Sequence, residues 1–71
     1  MESVNAQIEA IILTNRGTAI HAKDAKGTLY KFSGCPLVWK CIFPPQVGLR
    51  VTLELLEERP YGFKANRVTC N

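Results

Sequence analysis

Arg16–Ser33, RGTAIHAKDAKGTLYKFS, is the stretch on which the fold turns. Two short runs that mix β-branched, apolar and basic residues flank Asp24-Ala25-Lys26-Gly27. A glycine late in a three- to five-residue connection supplies the positive φ that a chain reversal needs. The stretch therefore reads as a β-hairpin in which Gly17 to Asp24 pairs with Thr28 to Phe32. Neighbouring side chains on a strand point to opposite faces, so Tyr30 and Phe32 share one face, and Leu29 and Lys31 the other. The two aromatics go together, to the core or to the surface. Beside Lys23, Lys26 and Lys31, a surface placement suits an anionic polymer whose bases stack while its phosphates are neutralised. Packing in the core is the plain alternative.

Upstream of the hairpin, Val4 to Leu13 places Val4, Ala6, Ile8, Ala10 and Ile12 at alternate positions. Period two predicts a strand with one buried face, ended by the turn residues Thr14-Asn15-Arg16-Gly17. Downstream, Ser33-Gly34-Cys35-Pro36 breaks the pattern. Leu37 to Phe43 (LVWKCIF) is apolar at six of its seven positions. It reads either as one or two helical turns or as an irregular packed loop, stopped by Pro44-Pro45. So apolar a segment must bury against the barrel or against another molecule. Val47 to Glu57 alternates again, with Val47, Leu49, Val51, Leu53 and Leu55 to one side. Glu57 to Gly62 reads as a loop with Pro60 and Gly62 in turn positions, and Phe63 to Thr69 as the last strand.

Seventy-one residues make one domain, residues 1–71, of a size that buries only about 60% of the unfolded chain's surface. Five short strands with no long helix are too few for two packed sheets. One open sheet would leave the apolar faces wet. A small closed barrel buries those faces and removes the sheet edges.

Nine Lys and Arg against six Asp and Glu give a formal charge of +3. Arg16 to Lys40 holds five of the cations, with Asp24 the single acid. A clustered basic face attracts phosphates, and an acidic protein is also compatible with it. The segment Met1-Glu2-Ser3 lacks the basic start and apolar core of a signal peptide, and no run is long and apolar enough to span a bilayer. A cytoplasmic location is expected.

Cys35, Cys41 and Cys70 are an odd set at spacings that match neither a zinc pair nor a redox pair, so they read as reduced thiols. With no paired ligand motif, no metal or cofactor is expected. His21 has no nucleophile or orienting acid nearby in sequence. Glu54, Glu57 and Glu58 read as a solvated face, and there is no phosphate loop or nucleophile elbow. A non-enzymatic protein without catalytic residues follows.

Two segments resemble a known family. Gly48-Leu49-Arg50-Val51-Thr52-Leu53-Glu54-Leu55 resembles the fourth strand of bacterial cold-shock proteins, and Gly62-Phe63-Lys64-Ala65-Asn66-Arg67-Val68 resembles their last. Arg16-Gly17-Thr18-Ala19-Ile20 and Leu29-Tyr30-Lys31-Phe32-Ser33 fall where that family carries its two RNA-binding motifs. The resemblance implies an all-β, five-stranded antiparallel barrel of the OB-fold type that binds single-stranded RNA or DNA. It also shows departures. Thr18 and Ile20 stand at the first motif's aromatic positions. Leu29 replaces an aromatic and Lys31 a histidine in the second motif, and Ile12 and Leu13 lie where a Trp-Phe pair is expected. Each stacked base is worth about 1–3 kcal/mol, so binding weakens unless Trp39, Phe43, Tyr61 or Phe63 compensate.

The candidate nucleic-acid contacts are thus Arg16, Lys23, Lys31, Lys64 and Arg67 for phosphates, Phe32 and Trp39 for stacking, and His21 and Tyr30 as secondary contacts. The alternative is a homodimer or protein-interaction module that uses Leu37, Val38, Trp39, Ile42 and Phe43.

Overall fold

The computed structural model describes residues 3–70; Met1 and Glu2, on which the expected location leans, lie outside the described residues, as does Asn71. Five strands, β1 (Ser3–Thr14), β2 (Gly17–Lys23), β3 (Leu29–Ser33), β4 (Arg50–Arg59) and β5 (Gly62–Cys70), close in the order β1-β2-β3-β5-β4. This is an all-β barrel of the small OB-like kind. Four seams are antiparallel, as expected, and β3–β5 is parallel. The path explains the exception: the connection 34–49 carries the chain from β3 to β4, so β5, the hairpin partner of β4, meets β3 running the same way.

Apolar alternation builds the core, with Ile8, Ile20, Val51, Leu53 and Val68 fully enclosed. Two irregularities correct the unbroken alternation read from the sequence. The β1–β2 register shifts between Ile8 and Ala10, a bulge that leaves Glu9 as the extra residue. Ala6 and Ile8 face in, Ile11 takes over on the core side, and Ile12 is left 42% exposed. This bend lets one strand pair with β4 through Ser3–Gln7 and with β2 through Gln7–Thr14. In β4, Leu55 has a left-handed φ of 55°; it turns outward, and Leu56 packs against the core instead. Asn66 Nδ2 donates to the Leu55 carbonyl at 2.9 Å and to Glu57 Oε1 at 2.8 Å, which satisfies the interrupted ladder.

Strand limits also differ. Val47 is exposed outside β4, and Glu57–Arg59 belong to it, so the reversal into β5 is the Pro60-Tyr61 turn alone. Gly62 is required there: a Cβ would collide with the Leu29 carbonyl where β5 approaches β3.

The 34–49 connection is an irregular packed loop. The Val38 and Trp39 amides both donate to the Cys35 carbonyl, and Trp39 makes a parallel bridge with Val68. The indole stacks on Phe32 with ring centres 6.3 Å apart and donates Nε1–H to the Phe43 carbonyl at 2.9 Å. Trp39 thus packs into the core from the loop and ties it to β3 and β5. Cys41 and Cys70 form a disulfide, which overturns the reading of three reduced thiols. The bridge explains it: two residues beyond Trp39 and two beyond Val68, in parallel register, put these cysteines side by side. Cys35 is free and exposed. Among the described residues no cluster of His, Cys, Asp or Glu could hold a metal, and no helix is long and apolar enough to cross a membrane.

Candidate nucleic-acid interface

The outer face of the barrel carries a row of cross-strand neighbours. Ala10 on β1 pairs with His21 on β2, His21 with Lys31 on β3, and Lys31 with Lys64 on β5. Beside it run Ile12, Ala19 and Ser33. Because of the Glu9 bulge, Ala10 and Ile12 join the outer face and give the row an aliphatic margin.

Two turns rise at the edge of this face. Thr14 Oγ1 donates to the Gly17 carbonyl at 2.8 Å and accepts from the Arg16 amide at 3.2 Å, which fixes the β1–β2 turn and holds Arg16 at the rim. The Pro60-Tyr61 turn stands across from it, and Lys31 Nζ lies 4.2 Å from the centre of the Tyr61 ring. Between them is an open groove of about 280 Å³ lined by Thr14, Arg16–Ala19, Lys31–Ser33, Tyr61 and Lys64. The cation over the ring orients both groups, and Tyr61 stays 38% exposed.

The charges in the groove are largely uncommitted. The ion pairs of the described residues join Arg59 to Glu57 at 2.8 Å and Arg67 to Glu54 at 3.7 Å, and neither involves Arg16, Lys31 or Lys64. Lys64 lies opposite Glu57 in register. The Glu57 carboxyl is held below its ordinary value, chiefly by the Asn66 hydrogen bond, then by the charge of Arg59, with a smaller contribution from Lys64.

Sequence-predicted residues divide cleanly. Arg16, Lys31 and Lys64 meet in the groove, His21 adjoins it, and Lys23 lies further along β2 on the exposed surface. Arg67 is not brought there and pairs with Glu54. Tyr30, Phe32 and Trp39 are corrected from surface contacts to core: they are 4%, 4% and 8% exposed. Their face is the one shared with Ile20 and Ala22 across the β2–β3 seam, and it points inward. Tyr30 also stacks on Phe63, ring centres 5.7 Å apart.

The Tyr30 hydroxyl donates to Asp24 Oδ2 at 2.9 Å, while Asp24 Oδ1 accepts from the Lys26 and Thr28 amides. Burial, then the Asp24 hydrogen bond and charge, push the Tyr30 phenol up to about 12. Burial also pushes the Asp24 carboxyl up, but the hydrogen bonds from Thr28, Tyr30 and Lys26 and the Lys26 charge outweigh it and hold the group below its ordinary value.

The proposed protein-interface residues are also split. Leu37 and Ile42 are 80% and 99% exposed and Phe43 is partly so, whereas Val38 packs on the core and Trp39 lies within it. Tyr61, foreseen only as a compensating aromatic, is the ring the groove is built around; the Pro-Tyr-Gly turn was its signal. Comparisons with known protein families, curated proteins and solved structures find no match.

Proposed function

We propose that the barrel binds single-stranded RNA or DNA, without catalysis, across the outer face of β2, β3 and β5. One observation carries this reading: Lys31 lies over Tyr61 in a groove whose other cations, Arg16 and Lys64, form no ion pair. A base can stack on Tyr61 or rest against the Ile12 margin while phosphates meet the three cations. The resemblance to cold-shock proteins in strand order and motif position supports the same reading. A single exposed ring in place of an aromatic platform makes binding weak and electrostatic. Of Glu54, Glu57 and Glu58, the first two are engaged by Arg67 and Arg59, which supports a non-enzymatic role.

A bacterial cytoplasmic setting belongs to the same proposal. Thiols are kept reduced there, so binding is to be measured with the disulfide intact and again after reduction. A protein-interaction role through the 37–43 loop has the exposure of Leu37 and Ile42 in its favour. It lacks its aromatic anchor, because Trp39 is buried.

The test is fluorescence anisotropy of a labelled, mixed-sequence single-stranded oligonucleotide. Emission of Trp39 is unsuitable, since the indole is buried against Phe32. With three phosphate contacts, affinity is expected to fall about tenfold to twentyfold between 50 and 200 mM salt. Tyr61→Ala is expected to weaken binding by about fivefold or more, with Tyr61→Phe close to wild type. Absence of saturable binding at low salt, or binding indifferent to salt, overturns the proposal. A salt-independent dimer by light scattering would then favour the 37–43 loop.

A further inference from the structure

We infer that a second nucleotide subsite lies where β1 meets β2 and β4, and that it extends the path of the same strand. The inference rests on reading the first groove as a strand-binding site. Gln7 pairs in register with Lys23 on one side and with Arg50 on the other, so Lys23, Gln7 and Arg50 form a row across three strands. Asn5, two residues along β1, faces the same way and is opposite Thr52. These side chains line a shallow groove of about 310 Å³ that also touches the Asp24-Ala25 turn.

The polar atoms of this groove are half used. Gln7 Nε2 donates to the Gly48 carbonyl at 3.2 Å, which leaves Oε1 as an acceptor. Asn5 Oδ1 accepts from Thr52 Oγ1 at 3.2 Å, which leaves Nδ2 as a donor. The Asp24 carboxylate is turned into its own loop by Lys26, Thr28 and Tyr30. Lys23 and Arg50 take part in no ion pair among the described residues. One donor and one acceptor on adjacent amides complement the edge of an unpaired base, and a cation on either side suits the flanking phosphates. The two grooves share no lining residue; His21, opposite Lys31 of the first, lies between them on β2. Lys23 follows His21 by two residues on the same face of β2, about 7 Å along the strand.

The test compares labelled oligothymidylates of about four and about twelve nucleotides, a length at the lower limit of one barrel's footprint and one well inside it, on wild type and on Arg50→Ala, Gln7→Ala and Arg50→Lys. Thermal melts confirm that each variant is folded. The longer oligonucleotide is expected to lose about fivefold in affinity with Arg50→Ala, and its salt slope to shrink by about 0.7. Gln7→Ala should weaken it without changing the slope, and Arg50→Lys should restore the slope. The shorter one should bind all four proteins alike. Equal binding of the longer oligonucleotide by wild type and variants overturns the second subsite and leaves the first standing. Equal weakening of both lengths also overturns it as a separate subsite. If wild type binds neither length, the functional proposal falls, and this inference with it.

Discussion

Tyr30 decides which way the central hairpin faces. Its ring is enclosed, and its hydroxyl reaches back to an Asp24 carboxylate already committed to the turn. That the two aromatics share a face follows from strand alternation; which face does not. Both faces of the hairpin carry apolar residues, and only pairing with β1 and β5 makes Ile20, Ala22, Tyr30 and Phe32 the inner set. The phenol has a pH consequence. Its folded value of about 12 lies above the unfolded value near 10. Between the two the folded protein keeps a proton that the unfolded chain has released, so stability is full below pH 10 and is lost as pH rises toward 12. Asp24 acts in the opposite sense. Its depressed carboxyl contributes stability above its unfolded value, lost as pH falls through the folded one. Chemical denaturation across pH should show both limbs. Tyr30→Phe should lower stability at neutral pH by about 1 kcal/mol and remove most of the alkaline loss.

At the scale of elements, all five strands were legible in the sequence: β1 and β4 by apolar alternation, and β2, β3 and β5 as short mixed runs of β-branched, apolar and basic residues between turn residues. The two irregularities were not. Nothing in Glu9 or Leu55 marks the break, since an apolar residue follows each and the pattern continues on the other face. The 34–49 loop shows a second limit. Its burial was legible, but the pairing of Cys41 with Cys70 depends on one bridge, Trp39 to Val68, between residues far apart in the chain. The disulfide closes a loop across a separation of 29 residues and so constrains the unfolded chain by about 3–4 kcal/mol. Its reduction, or the double change Cys41→Ala with Cys70→Ala, is expected to lower stability by about 2–4 kcal/mol. Trp39 should report it: its emission should shift to the red as the indole loosens over Phe32. Unchanged emission and unchanged denaturation midpoints would show that the bridge with Val68 holds the loop without the covalent bond.

Across the whole molecule, the placement of charge matters more than its sum. A net charge of +3 is modest, yet β4 and β5 hold Glu54 and Glu57 in pairs with Arg67 and Arg59, while the face of β2 and β3 keeps its cations unpaired. Sequence proximity grouped Arg16, Lys23 and Lys31. Regular alternation would put Lys64 and Arg67, three residues apart, on opposite faces of their strand, yet both are exposed, and the buried residues beside them are Ala65 and Val68. Pairing in three dimensions separates the two cations: Lys64 neighbours Lys31, and Arg67 neighbours Glu54. Lys31→Glu and Arg67→Glu therefore make a matched comparison, because each takes the formal charge from +3 to +1 (+3 − 2 = +1). If binding answered to net charge, the two would weaken it equally. With the groove as the site, Lys31→Glu should cost about tenfold or more in oligonucleotide affinity at low salt, a gap that narrows as salt screens the added carboxylate. Arg67→Glu should stay within about threefold of wild type and show its effect as a small loss of stability, under about 1 kcal/mol for an exposed pair. Equal losses in the two variants would move the binding surface off this groove.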